Sequence, residues 1–93
     1  MDDRRKRIKF RAWRRGFREI DLILGAFADA HLHDLDADAL AEFERLLDQP
    51  DQDVYAWIVG TTRAPPDHDG PLLALIRSFR YFARNAAAER GEA

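Results

Sequence analysis

Apolar residues recur every three or four positions along almost the whole chain, and no run of four or more alternates apolar with polar as a strand would. That spacing puts the apolar side chains on one face of successive helices and predicts an all-α fold. Phe10, Trp13, Phe17, Ile20, Leu24 and Phe27 would form one continuous stripe in an unbroken helix, but Gly16 interrupts it. Glycine costs about 1 kcal/mol relative to alanine in a helix interior. The expected result is a first helix over residues 4–14 and a second over 17–31.

Further along, Asp36 is placed to cap a third helix, 37–48, with Asp38 in its first turn and Leu40, Phe43, Leu46 and Leu47 on its buried face. Pro50 ends that helix. Asp51 is expected to cap a fourth, 52–59, built on Val54, Tyr55, Trp57 and Ile58 and closed by Gly60 in the left-handed conformation. Thr61 to Gly70, with the pair Pro65 and Pro66, reads as a polar loop ended by Asp69 as cap and Pro71 in the first turn. The fifth helix, 70–88, carries Leu72, Leu75, Ile76, Phe79, Phe82, Ala83 and Ala86, and the tail beyond Ala88 is expected to fray. Five short helices with brief connections predict a compact, single-domain bundle over residues 1–93.

At 93 residues there is room for one core, and without cysteine that core must hold by packing alone, with no disulfide, thiolate nucleophile or cysteine-bound metal. The longest apolar run, Leu22 to Ala28, is broken by Gly25 and falls far short of the ~20 residues of a membrane span. The arginine-rich start contains Asp2 and Asp3 and no serine, so it reads as mature sequence rather than a transit peptide, and a bacterial cytoplasmic protein is expected. The net charge of −2 conceals a strong polarity: +7 over residues 1–18, −11 over 19–69 and +2 over 70–93. Such asymmetry bears on what the surface attracts, not on the fold.

Catalytic constellations are missing from the sequence: no Ser/His/Asp arrangement on a strained turn, no glycine-rich phosphate loop, no H-E-x-x-H. His31 and His33 with Asp29, Asp34 and Asp36 suggest a metal cluster, but positions two apart do not share a helix face, so a solvated helix end is the preferred reading. The aspartates at 34, 36 and 38, or 48, 51 and 53, lack the spacing of a calcium loop and are read as caps. Arg4 to Arg18, interleaved with Phe10, Trp13 and Phe17, admits a nucleic-acid-binding module as the alternative function. Against it, those aromatics lie at core spacing and the acidic remainder repels phosphate.

The strongest local anomaly is RRGFREID, residues 14–21. Arg14, Arg15 and Arg18 crowd the start of the second helix, where the dipole disfavours cations, and Gly16 removes a side chain at the same place. A plain reading pairs Arg15 with Glu19 one helical turn on. The preferred reading is that Gly16 lets another protein's backbone approach while the arginines and Glu19 supply directional polar contacts.

The core of this segment, R-G-x-x-E at Arg15, Gly16 and Glu19, resembles the signature of the FAD assembly factor (SdhE) family. RRKRIKFRAWRRGFREIDLILGAFAD resembles that family's amino-terminal half, and Leu46, Leu47, Asp51, Asp53, Trp57 and Gly60 resemble its Leu-Leu, Asp-x-Asp and Trp-Gly segment. The likeness covers about residues 4–80. It implies a five-helix assembly factor, not itself an enzyme, that promotes covalent attachment of FAD to the flavoprotein subunit of succinate dehydrogenase, and of fumarate reductase where present. A histidine of that client attacks the 8α position of the flavin, so the covalent chemistry belongs to the client and its cofactor. The factor would act as a chaperone, a monomer when free, with no metal and no tightly bound cofactor of its own. Its partner-binding residues would be Arg14, Arg15, Gly16, Arg18, Glu19 and Asp21.

Overall fold

Asp2 starts the first helix: its side chain accepts the Arg5 amide at 2.8 Å, and α1 runs over Asp3–Ala12. The computed structural model describes the backbone of residues 1–89 and the side chains of residues 1–80. Beyond α1, the described elements are α2 (Arg18–His31), a 3-10 turn (Leu32–Asp34), α3 (Ala37–Leu47), α4 (Asp51–Val59), a second 3-10 turn (Pro66–His68) and α5 (Pro71–Glu89). No strand occurs among the described residues. The Cα radius of gyration of 12.9 Å is close to the ~12 Å of a compact chain of this length.

The first helix ends two residues earlier than expected, and this changes which face is buried. The interruption spans residues 13–17, with Phe17 extended at φ −150° and ψ 159°. Ile8 and Ala12, four apart, are α1's buried residues, whereas Phe10 is 59% exposed. Phe10 therefore does not belong to the core stripe as expected. Two residues along a helix is about 200° of rotation, so a face set by Ile8 and Ala12 turns Phe10 outward. Trp13 and Phe17 are half-buried, and the stripe resumes in α2 with Ile20, Leu24 and Phe27 buried.

Two caps come from different residues than local reading suggests. Asp36 caps α3 as expected, accepting the Ala39 amide at 2.9 Å, and Gly60 closes α4 at φ 88°. Pro50, not Asp51, occupies the cap position of α4, and the Asp51 side chain points back to the α1–α2 turn. At α5, Pro71 opens the helix, but the carboxylate accepting the Leu72 and Leu73 amides, at 2.9 and 3.2 Å, belongs to Glu42 of α3. Asp69 lies instead 3.7 Å from Arg77. In α5, Leu72, Leu73 and Ile76 are buried, while Leu75, expected in the stripe, is 50% exposed. The side chains of Phe82, Ala83 and Ala86, and the tail from residue 90, lie outside the described residues.

Phe27 is the centre of the core, edge-on to Phe43 of α3 and Phe79 of α5, each 5.8 Å away between ring centroids. The helices are tied at their ends by arginines that donate to terminal carbonyls. Arg5 donates to Leu32 O at 3.1 Å and Leu35 O at 2.6 Å, and Arg77 donates twice to Trp57 O, at 3.0 and 2.8 Å. Gly25 sits under the Trp13 indole; a Cβ built there would overlap the ring, with Cε3 at 2.5 Å. Indole Nε1 donates to Asp29 at 3.2 Å, which fixes the ring over the glycine. Gly25→Ala recovers about 1 kcal/mol of helix propensity yet expels the ring, at an overpacking cost of roughly 1–3 kcal/mol. A net fall in melting temperature with a red-shifted tryptophan emission is expected; a neutral or stabilised variant would contradict the close approach.

Arg4 donates to Glu44 at 2.7 Å, joining α1 to α3. That hydrogen bond holds the Glu44 carboxyl below the usual glutamate range. A carboxyl with a lowered folded pKa adds stability above its unfolded value, near 4.3, and loses it as pH falls through the folded value. At pH 7 Glu44→Gln should be slightly less stable than wild type, by a small amount because the pair is exposed, and in thermal melts taken from pH 5 downward that difference should close as wild type loses the pair. Parallel curves would show that the pair is not linked to folding.

Candidate functional site

The turn between α1 and α2 carries most of the R-G-x-x-E segment, and two carboxylates hold it in place. Arg15 folds inward: Nε donates to Asp51 Oδ1 at 2.6 Å and Nη2 to Gln49 O at 3.3 Å. Its side chain is 10% exposed and that of Asp51 22%, so the pair is largely withdrawn from water. The Gly16 amide donates to the other Asp51 oxygen. From the opposite side Asp21, in the first turn of α2, accepts the Arg15 amide at 2.5 Å. Asp51 itself opens α4, where the helix dipole favours a carboxylate.

These contacts replace the Arg15–Glu19 pair of the plain reading. α2 begins at Arg18, so Arg15 lies outside the helix and one-turn spacing does not apply. Glu19 and Arg18 are exposed in the first turn of α2, and Arg14 is exposed with its guanidinium carbon 4.1 Å from the Phe10 ring centroid. The predicted site therefore divides in two: Arg15, Gly16 and Asp21 build the turn, and Arg14, Arg18 and Glu19 face outward from it. Neutralisation of Arg15 by Asp51 also relieves the crowding of cations at the α2 N-terminus.

Gly16 is not needed for a left-handed backbone, since Gly60 has the positive φ among the described residues. Its role is close approach: a Cβ would lie 2.6 Å from Asp51 Oδ2. The absent side chain thus makes room inside the molecule, at a position that is also exposed. Asp51 is the residue local reading missed. Its partners lie 35 and 36 positions away, and an aspartate after Pro50 gives every local sign of a helix cap.

The basic start is largely neutralised within the fold. Besides Arg4 with Glu44, Arg5 pairs with Asp2 at 2.6 Å, Lys9 with Asp29 at 3.2 Å and Arg11 with Asp48 at 2.6 Å. Lys6, Arg7, Arg14 and Arg18 have no carboxylate partner among the described residues. Two of the three histidines pack on aromatic rings, and His33 is exposed, 3.5 Å from Asp34. His31 lies 5.2 Å from Phe27 and 5.5 Å from Phe79, and His68 stacks on Trp57 at 5.4 Å. Among the described residues no three potential ligands converge on one point, and no helix is long and apolar enough to cross a membrane.

The family described as "Flavinator of succinate dehydrogenase" matches residues 6–80, which takes in both halves of the site. The chain is 36% identical over 70 residues to "FAD assembly factor SdhE" of Acetobacter pasteurianus, covering 75% of this chain and 64% of that protein. It is 34% identical over 73 residues to "Succinate dehydrogenase assembly factor 2, mitochondrial" of Dictyostelium discoideum, covering 78% of this chain and 52% of the relative. A third relative, "Succinate dehydrogenase assembly factor 2-A, mitochondrial" of Drosophila mojavensis, is 30% identical over 79 residues, which is 83% of this chain and 50% of that one. The matches thus span between half and two thirds of the relatives' length. On a family match over most of its residues, the chain belongs to the Sdh5 family, the flavinators of succinate dehydrogenase.

Proposed function

We propose that this protein binds the flavoprotein subunit of succinate dehydrogenase, and of fumarate reductase where present, and promotes covalent attachment of FAD to it. The observation that carries the reading is the Asp51-clamped turn, which holds the R-G-x-x-E segment rigid and turns Arg14, Arg18 and Glu19 to solvent on a chain of the flavinator family. A turn whose backbone is already fixed by paired charges loses little entropy on docking, so it presents these side chains from a preorganised support. The covalent bond forms between a client histidine and the flavin. The chain's contribution is to hold the client in the arrangement that brings the two together, which is catalysis by proximity supplied from outside. The sequence has no cysteine, no glycine-rich phosphate loop and no H-E-x-x-H motif.

The test is in-gel flavin fluorescence of the denatured flavoprotein subunit from cells with and without this protein. Loss of covalent flavin in its absence is expected, and unchanged covalent FAD would overturn the reading.

A further inference from the structure

The outer face of α1 carries an apolar side chain that the fold does not use. Phe10 is 59% exposed and stands between two shallow grooves, one lined by Lys6, Lys9, Trp13 and Arg14, the other by Lys6, Arg7 and Arg11. Lys6 and Phe10 are four residues apart on one face of α1, and Arg14, in the turn just past the helix end, lines the same groove. The Arg14 guanidinium rests on the Phe10 ring at 4.1 Å, a cation–π contact that orients both. Four carboxylates around α1 are already engaged, Asp2 by Arg5, Asp29 by Lys9, Glu44 by Arg4 and Asp48 by Arg11, and Asp3, in the first turn, makes no ion pair among the described residues. The charge of Lys6, Arg7 and Arg14 is left facing outward around the aromatic ring.

From this we infer that the Lys6–Phe10–Arg14 face is a second lobe of the docking surface, and that it takes an apolar side chain flanked by carboxylates on the flavoprotein client. This rests on the function proposed above. Charge complementarity selects the occupant: an exposed ring within a cationic rim matches an acidic, partly apolar protein surface. Nucleic acid fits less well, because four of α1's cations are neutralised internally and one ring cannot act as a stacking platform for successive bases. Thirteen acidic residues over 19–69 also oppose an anionic lipid surface. The lobe is continuous with the R-G-x-x-E turn through Arg14, and Trp13 anchored on Gly25 and Asp29 keeps it rigid.

The experiment measures binding of the full chain to the flavoprotein subunit of a bacterial succinate dehydrogenase purified without covalent FAD, by isothermal titration calorimetry at two salt concentrations. Phe10→Ser should weaken binding at least about tenfold, as loss of a central aromatic anchor does, while its melting temperature stays near wild type. Lys6→Glu combined with Arg7→Glu should weaken binding and flatten its salt dependence. Leu75→Ser, an exposed apolar position on α5, should leave affinity within twofold. If wild type binds and Phe10→Ser binds equally well, the second lobe is wrong and the proposed function stands. If wild type does not bind at all, the proposed function falls and the lobe with it. Wild-type binding to phosphatidylglycerol vesicles that is lost in Phe10→Ser, with flavoprotein affinity unchanged, would assign the face to a membrane and overturn the inference.

Discussion

Gly16→Arg is expected to abolish covalent flavinylation of the client in the same in-gel assay while the domain remains helical. The new Cβ would press to 2.6 Å from Asp51 Oδ2, so the carboxylate must leave the Gly16 amide and its place against Arg15. The introduced guanidinium then competes with Arg15 for the same aspartate. Both effects re-lay the turn that presents Arg14, Arg18 and Glu19, and the long side chain stands on the exposed surface where a partner would approach. The cost to stability should be only about 1–3 kcal/mol, because α1 and α2 are held elsewhere by Ile8, Ala12, Ile20 and Leu24 in the core. Gly16→Ala, which displaces Asp51 without obstructing the surface, should give an intermediate result. Wild-type levels of covalent FAD with Gly16→Arg, or loss of activity matched by loss of helicity at the assay temperature, would refute this account of the glycine.

Asp51→Ala should be the most destabilising single change at the site. It leaves Arg15, 10% exposed, without its counter-charge and orphans the Gly16 amide. Removing one partner of a fully buried pair costs about 3–5 kcal/mol, and partial exposure here lowers the expectation to ~2–3 kcal/mol by urea denaturation. Asp51→Asn keeps an acceptor for Gly16 but not the charge and should fall between. The pairing itself is measured by the double variant Arg15→Ala with Asp51→Ala, whose loss should be smaller than the sum of the two single losses. Additive losses would mean that the two side chains are not coupled and that Asp51 does not hold the turn.

The parts of this fold legible in the sequence are those decided within one helical turn. Asp36 caps α3 by reaching three residues ahead, and Gly60 ends α4 because its own φ is positive. Leu40, Phe43, Leu46 and Leu47 are buried because their spacing follows the helix period. Where the expectation failed, a residue from another helix had intervened. Glu42 covers the amides that Asp69 was expected to take, and Asp51 leaves its own helix end to meet Arg15 and Gly16. Phe10 falls outside the core for a related reason: the five-residue interruption resets the helical phase, so a stripe counted through it loses its meaning.

By itself, then, the sequence determined the all-α class, the five α-helices among the described residues with their ends to within two residues, and the R-G-x-x-E segment as the place to look. Local hydrogen bonding and the 3.6-residue period suffice for that. Only the tertiary structure decided which of Arg14, Arg15, Gly16, Arg18, Glu19 and Asp21 face outward and which are internal supports. It did so because a charge near the surface is stabilised by whichever opposite charge packing brings within reach, and the partner of Arg15 lies 36 residues away. The same packing, by burying Ile8 and Ala12, left Phe10 on the outside beside Lys6, Arg7 and Arg14, which make no ion pair among the described residues.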